Sequence, residues 1–140
     1  MILFCDTSAL IKLYVEEDQS QQMKATEKAA QMIGVCRITY AEAMAAFSRR
    51  QREEPSDAAL VEKSKQKLSV DWNEFVVVEI TQPLVELAAD FAETFALRGY
   101  DSVQLAGART LQQTAGELLH FACFDQRLSK AAAVLGMRTL

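Results

Sequence analysis

The 140-residue chain predicts an α/β fold in which a parallel sheet is covered by helices on both faces. Three observations predict it. Short apolar runs alternate with longer segments of helical spacing along the whole length. Those runs are almost continuously apolar, as strands buried on both faces must be. Half of the residues are hydrophobic, enough to fill one core. With 5 glycines, 2 prolines and no repeat or low-complexity stretch, no linker stands out, so residues 1–140 are expected to form a single domain.

Ile2–Cys5 is the first apolar run. It ends at Asp6-Thr7-Ser8, and Leu10, Ile11, Leu13 and Tyr14 follow at helical spacing, so a strand, a turn and a helix are expected. The polar stretch 16–31 should carry a second helix and residues 33–36 a small strand. Thr39 opens a strong helix with Tyr40, Met44 and Phe47 on one side, running to Arg49, Arg50 and Arg52. Pro55-Ser56-Asp57 breaks the chain and restarts it as a helix through Leu60, Val61, Leu68 and Trp72. Residues 75–80 make the clearest strand, because Val76, Val77, Val78 and Ile80 are β-branched. Pro83 suits the first turn of the next helix, which Arg98-Gly99 ends, and Asp101 is read as the cap of the one after it. Residues 120–124 form a fourth strand, Asp125 starts a helix to about Leu135, and Gly136 leads to a brief strand over 137–140.

Met1 to Cys5 lacks a basic leader and Asp6 interrupts it, and no apolar run approaches the ~20 residues of a membrane span, so a cytoplasmic protein without membrane contact is expected. The 3 cysteines, Cys5, Cys36 and Cys123, form no C-x-x-C pair and are read as reduced core thiols. A net charge of −4 argues against gripping nucleic acid by bulk electrostatics. Setting aside Asp6, Glu42, Asp101 and Asp125, however, leaves 15 acidic residues against 15 basic ones. Divalent ions held by those four would supply the local positive charge that phosphate requires.

Each of the four has an ordinary explanation. Asp6, Asp101 and Asp125 all stand where an aspartate caps a helix, worth about 1 kcal/mol, and Thr39-Tyr40-Ala41-Glu42 matches the capping box. Their placement together is harder to explain so. In a parallel α/β sheet, sites form beyond the carboxyl ends of the strands. Asp6 and Asp125 directly follow strands, Glu42 lies one helical turn beyond another, and the helix starting near Asp101 can begin at the same edge. Bare carboxylates gathered there repel by about 4 kcal/mol per close pair, a cost that a hard cation such as Mg²⁺ or Mn²⁺ removes.

Nothing else offers competing chemistry. G-x-G-x-x-G, G-x-x-x-x-G-K-[ST] and G-x-S-x-G are absent, and the only histidine, His120, opens a strand and is read as structural. Ser8, two residues after Asp6, is placed to bind a metal water or a phosphate oxygen at a helix start. Lys12, Arg37, Arg127 and Lys130 are candidate contacts to a nucleic-acid backbone.

The segments Asp6-Thr7-Ser8-Ala9-Leu10-Ile11-Lys12-Leu13-Tyr14, Thr39-Tyr40-Ala41-Glu42, Leu97-Arg98-Gly99-Tyr100-Asp101 and Phe124-Asp125-Gln126-Arg127-Leu128 together resemble the PIN-domain family, in particular the VapC-like toxins. The ordered set spans essentially the whole chain. The resemblance implies a three-layer α/β/α sandwich with a central, mainly parallel sheet of four to five strands. It further implies Mg²⁺- or Mn²⁺-dependent cleavage of RNA, a homodimer, and a cognate antitoxin that inserts a segment near the active site. Asp6, Glu42, Asp101 and Asp125 fall on the family's acidic quartet and Ser8 on its accompanying hydroxyl. Cys123 departs from the serine or threonine that many relatives carry two residues before the last aspartate.

The expected chemistry is phosphodiester hydrolysis by a metal-activated water. The alternative is a non-catalytic acidic α/β binding or receiver-type module, disfavoured because residues 80–83, Ile-Thr-Gln-Pro, hold no acceptor aspartate after the third strand. A phosphatase of the haloacid dehalogenase type would require an acid where Ser8 stands.

Overall fold

A computed structural model describes residues 1–140. Five parallel strands, β1 (Ile2–Cys5), β2 (Met32–Cys36), β3 (Val76–Val78), β4 (Leu119–Ala122) and β5 (Arg138–Thr139), form one sheet in the order β3-β2-β1-β4-β5. Seven α-helices connect them: α1 (Thr7–Ile11), α2 (Ser20–Ala29), α3 (Thr39–Glu53), α4 (Ala58–Asp71), α5 (Gln82–Phe95), α6 (Gly99–Ala115) and α7 (Gln126–Val134). The chain first winds outward from β1 through β2 to β3, then returns to the other side of β1. Right-handed crossovers therefore put the early helices on one face and the late helices on the other.

The strand residues sort accordingly. Ile2 and Phe4 pack with residues of α5, α6 and α7, whereas Leu3 and Cys5 pack with residues of α1 to α4. This is the expected three-layer α/β/α sandwich, and it explains why β1 shows no apolar–polar alternation: it has no wet face. Phe4 and Phe121, side by side on β1 and β4, are fully buried with ring centroids 5.8 Å apart. Each contributes roughly 2 kcal/mol of apolar burial.

The order β3-β2-β1-β4-β5 has its reversal between β1 and β4, and a crevice opens at the carboxyl edge of such a point. It also differs from the 2-1-3-4-5 order of receiver-type folds, in which β3 lies beside β1. Here β3 is an edge strand, so no site can form at its end as a receiver's does.

Several expected boundaries shift. The first helix stops at Ile11, and Leu13 and Tyr14 pack on the core from the turn that follows rather than from the helix. β3 ends at Val78 instead of residue 80, because Glu79 turns outward to pair with Arg37 and Ile80 is exposed. β4 ends at Ala122, leaving Cys123 and Phe124 as a connection to α7. Asp101 is not a cap: Arg98 holds that position and Asp101 sits inside the first turn of α6. No helix is long and apolar enough to cross a membrane.

Candidate active site

The edge where β1 and β4 end carries a cleft of about 610 Å³ lined by Asp6, Ser8, Glu42, Asp101 and Asp125, so all five residues singled out from the sequence face one space. Backbone pairing sets their level. Cys5 is in register with Ala122, and the Asp6 N–H donates to the Ala122 carbonyl at 3.1 Å, so Asp6 and the chain leading to Asp125 leave the sheet together.

Asp6 follows β1 and caps α1: its Oδ1 accepts from the Ala9 N–H at 2.8 Å and from the Ser8 hydroxyl at 2.9 Å. Asp125 caps α7 in the same way, its Oδ1 accepting from the Leu128 N–H at 2.9 Å. The capping explanation is thus true of both, and it uses one oxygen of each. Glu42 is not part of a capping box. Thr39 lies inside α3, and Glu42 Oε1 instead accepts from the Thr7 hydroxyl at 2.7 Å and from Gln104 Nε2 at 3.2 Å. Asp101 reaches the cleft from α6, where Arg98 Nε stands 3.3 Å from its Oδ2. Arg98 also places Nη2 3.4 Å from Asp125 Oδ2, linking the two carboxylates.

Asp6 is 6% exposed and Asp101 9%. Burial pushes the Asp6 carboxyl up to about 6, against the lowering effect of its two hydrogen bonds, and the charges of Asp101 and Glu42 push the same way. Asp101 is also raised, first by burial, with Arg98 opposing. These are sites where a negative charge is held at a cost.

The donor set is one that hard divalent cations select: carboxylate oxygens, with Oδ2 of Asp6, Oε2 of Glu42 and Oδ1 of Asp101 accepting no hydrogen bond within the chain. No three acidic, histidine or cysteine side chains converge tightly enough to form a complete cage. Mg²⁺ does not need one, since it keeps several waters and uses one or two protein carboxylates with substrate phosphate. The residues present therefore fit such an ion at an open site.

Sequence reasoning missed Thr7, Arg98 and Gln104, all on the cleft wall. Gln104 lies three residues after Asp101 on one face of α6, a lone polar side chain among Leu105, Ala106 and Ala108, which was the available signal. The proposed backbone contacts divide. Arg127 lines a hollow with Asp125 and Arg98, and Lys130 lines a neighbouring one that it shares with Arg127 but with neither of those two. Lys12 is tied to Glu17 at 3.0 Å and lies over the Phe124 ring, and Arg37 pairs with Glu79 away from the cleft. His120 is outside the cleft, and burial beside Arg138 lowers its pKa. The three cysteines are buried and unpaired, and burial raises the Cys36 and Cys123 thiols to about 12, so they are core residues as expected. Cys123 Sγ reaches the Asp125 backbone carbonyl at 3.5 Å, not its carboxylate.

Ribonuclease VapC45 of Mycobacterium tuberculosis is 29% identical over 141 aligned positions, covering 98% of this chain and 93% of that protein. Among solved structures, PAE2754 from Pyrobaculum aerophilum superposes with a TM-score of 0.65 at 22% identity, covering 99% of this chain and 83% of that one. A toxin–antitoxin complex from Klebsiella pneumoniae matches with a TM-score of 0.59 at 20% identity, covering 89% of this chain and 87% of the matched one. The PIN domain model matches residues 3–134, nearly the whole length, and the chain belongs to the PIN domain family.

Proposed function

We propose that the chain is a Mg²⁺- or Mn²⁺-dependent endoribonuclease, working as one PIN domain and serving as the toxin of a type II toxin–antitoxin pair. The observation that carries this reading is the cleft at the carboxyl edge of β1 and β4, where four carboxylates from four different elements face one space. Support for RNA as the substrate comes from the family and from the similarity to Ribonuclease VapC45. The likeness to a chain of a toxin–antitoxin complex supports a cognate antitoxin as partner. A homodimer and a cytoplasmic location complete the reading.

In this mechanism Asp6 and Asp101, the two most buried carboxylates, would hold the ion, with Glu42 and Asp125 facing the same space. A divalent ion bound there supplies an activated water and offsets the charge that builds on phosphate. The chain's own residues do the positioning. Ser8 holds one Asp6 oxygen so that the other is left free, and Thr7 holds one oxygen of Glu42. Arg98 meets the phosphate and is released from Asp125 when substrate arrives. Arg127 and Lys130 extend a positive margin along α7 for the strand leaving the cleft.

The test is cleavage of single-stranded RNA by the purified chain with Mg²⁺, Mn²⁺ or EDTA. Cleavage that needs the ion and disappears in Asp6→Asn and Asp101→Asn, with both variants folded, is the expected result. Undiminished cleavage in EDTA, or full activity in either variant at limiting Mg²⁺, would overturn the assignment. Co-expression with the protein encoded beside it tests the antitoxin separately.

A further inference from the structure

Gln104 stands out among the side chains of the cleft. It is 4% exposed, yet its carboxamide lies on the cleft wall and its Oε1 is buried with no donor partner. Its Nε2 donates to Thr39 Oγ1 at 3.0 Å, to Glu42 Oε1 at 3.2 Å and toward Thr7 Oγ1 at 3.4 Å. Rotating the amide by half a turn would set its oxygen against the Glu42 carboxylate, acceptor to acceptor, so Glu42 fixes which way the group faces.

Two features separate this from ordinary core polarity. First, the bonds join opposite layers of the sandwich. Gln104 belongs to α6, which packs on one face of the sheet, whereas Thr7, Thr39 and Glu42 belong to α1 and α3, which pack on the other. The amide crosses the carboxyl edge of the sheet at the cleft. Second, an unpaired buried acceptor is a cost that an apolar side chain of the same size would not carry. Stability is lost to keep an N–H donor on Glu42.

We propose that Gln104 is a positioning residue for the metal-dependent reaction, an inference that rests on the nuclease reading above. It acts through Glu42. By holding Oε1 together with Thr7, it leaves Oε2 as the one oxygen Glu42 can offer an ion or its water. Without it the Glu42 side chain keeps a single anchor at Thr7 and loses its fixed rotamer. Partners that orient a ligand in this way typically govern metal affinity or rate by about 10- to 100-fold.

The test compares Gln104→Met with the parent, because methionine keeps length and volume while removing both polar ends. Mn²⁺ binding is titrated without RNA, and RNA cleavage is then measured across Mn²⁺ concentration. The expected result is a variant that melts at or above the parent's temperature in EDTA and binds Mn²⁺ about tenfold more weakly. Its kcat should fall at limiting Mn²⁺ and recover at excess Mn²⁺, with KM for RNA little changed. Gln112→Met serves as control, since Gln112 is on the same helix and bonds the Leu135 carbonyl far from the cleft. Gln104→Leu provides a second variant where methionine fails to fold.

Equal Mn²⁺ affinity in parent and folded variant would overturn the proposal, as would a loss matched by Gln112→Met or a parent that binds no Mn²⁺. A parent that binds Mn²⁺ but leaves RNA intact would sink the nuclease reading alone, and the ratio of affinities would still decide the role of Gln104.

Discussion

Thr7 Oγ1 donates to Glu42 Oε1 at 2.7 Å across thirty-five positions of sequence, tying the residue after the first cleft aspartate to the helix that carries the second acid. Because Thr7 is the first residue of α1 and Asp6 is its cap, the turn that places Asp6 also places the donor for Glu42. Two acids from different elements are therefore set by a single turn.

Thr7→Val keeps the shape of the side chain and removes that donor. A bond to a charged acceptor is worth about 1.5–3 kcal/mol when buried, and less here because Glu42 is half-exposed. Melting should fall by only a few degrees, whereas RNA cleavage at limiting Mg²⁺ should drop about tenfold. Thr7→Ser, which restores the hydroxyl, should recover most of the rate. Full activity in Thr7→Val, with the loss confined to Thr7→Ser, would mean that packing of the methyl group matters and the bond does not.

Asp6→Asn should stabilise the metal-free protein. The Asp6 carboxyl is raised from 3.8 to about 6 by burial. Below pH ~4 it is protonated in both folded and unfolded chains and costs nothing. Between pH ~4 and ~6 the unfolded chain releases its proton first, so stability falls as pH rises, and above ~6 the loss is complete at about 3 kcal/mol. Asparagine can accept the same bonds from Ser8 and Ala9 without the charge. Chemical denaturation in EDTA at pH 7.5 should therefore favour the variant, while at pH 4 the two should agree. Added Mn²⁺ should reverse the order by stabilising only the parent. A variant less stable than the parent at pH 7.5 without metal would refute the burial argument.

The layers were legible in the sequence because β1, β2 and β4 carry no alternation, and a strand with two dry faces can be recognised from its own residues. Asp6 and Asp125 were legible for a similar reason, since each directly follows such a strand. Asp101 suggests a cap from its residue type alone, but α6 begins at Gly99 with Arg98 in the cap position, and because Arg98 makes no capping side-chain bond this earlier start leaves no local signal. Thr7 and Gln104 escaped notice because their roles consist of bonds spanning 35 to 97 residues, and only the folded sheet edge brings them together. Arg98 was read as a helix end for the same reason: its partner Asp125 is 27 residues away.

Gly107 is required by packing. It lies on α6 where that helix crosses β1 and β2, and a Cβ there would meet the Cys36 sulfur, with Phe4 Cζ 3.2 Å away. Cys36 is fully buried in β2 and Phe4 in β1, so neither can move aside. Gly107→Ala should gain nearly 1 kcal/mol in helix propensity yet lose about 1–3 kcal/mol through overpacking, for a net loss. The melting temperature should drop by several degrees, and metal binding by the folded fraction should weaken as α6 shifts and carries Asp101 and Gln104 with it. A variant as stable as the parent would show that the helix can lift from the sheet without cost.

Arg98 presents the opposite case, a charge that adds little to the fold and is expected to compete with an ion for the same carboxylates. Its side chain is 64% exposed, it rests over the Tyr100 ring at 5.1 Å, and it lies at 3.3 and 3.4 Å from Asp101 and Asp125, so the contact is loose and contributes little to stability. What it does supply is positive potential beside two acids. Arg98→Ala should leave melting in EDTA almost unchanged and bind Mn²⁺ several-fold more tightly at low salt. That gain should shrink towards nothing at 1 M salt, where the screening length falls to about 3 Å. The KM for RNA should rise in the same variant, because the cation that would meet the phosphate is gone. Weaker Mn²⁺ binding in Arg98→Ala would contradict competition and would mean instead that the guanidinium holds Asp101 and Asp125 in place for the ion.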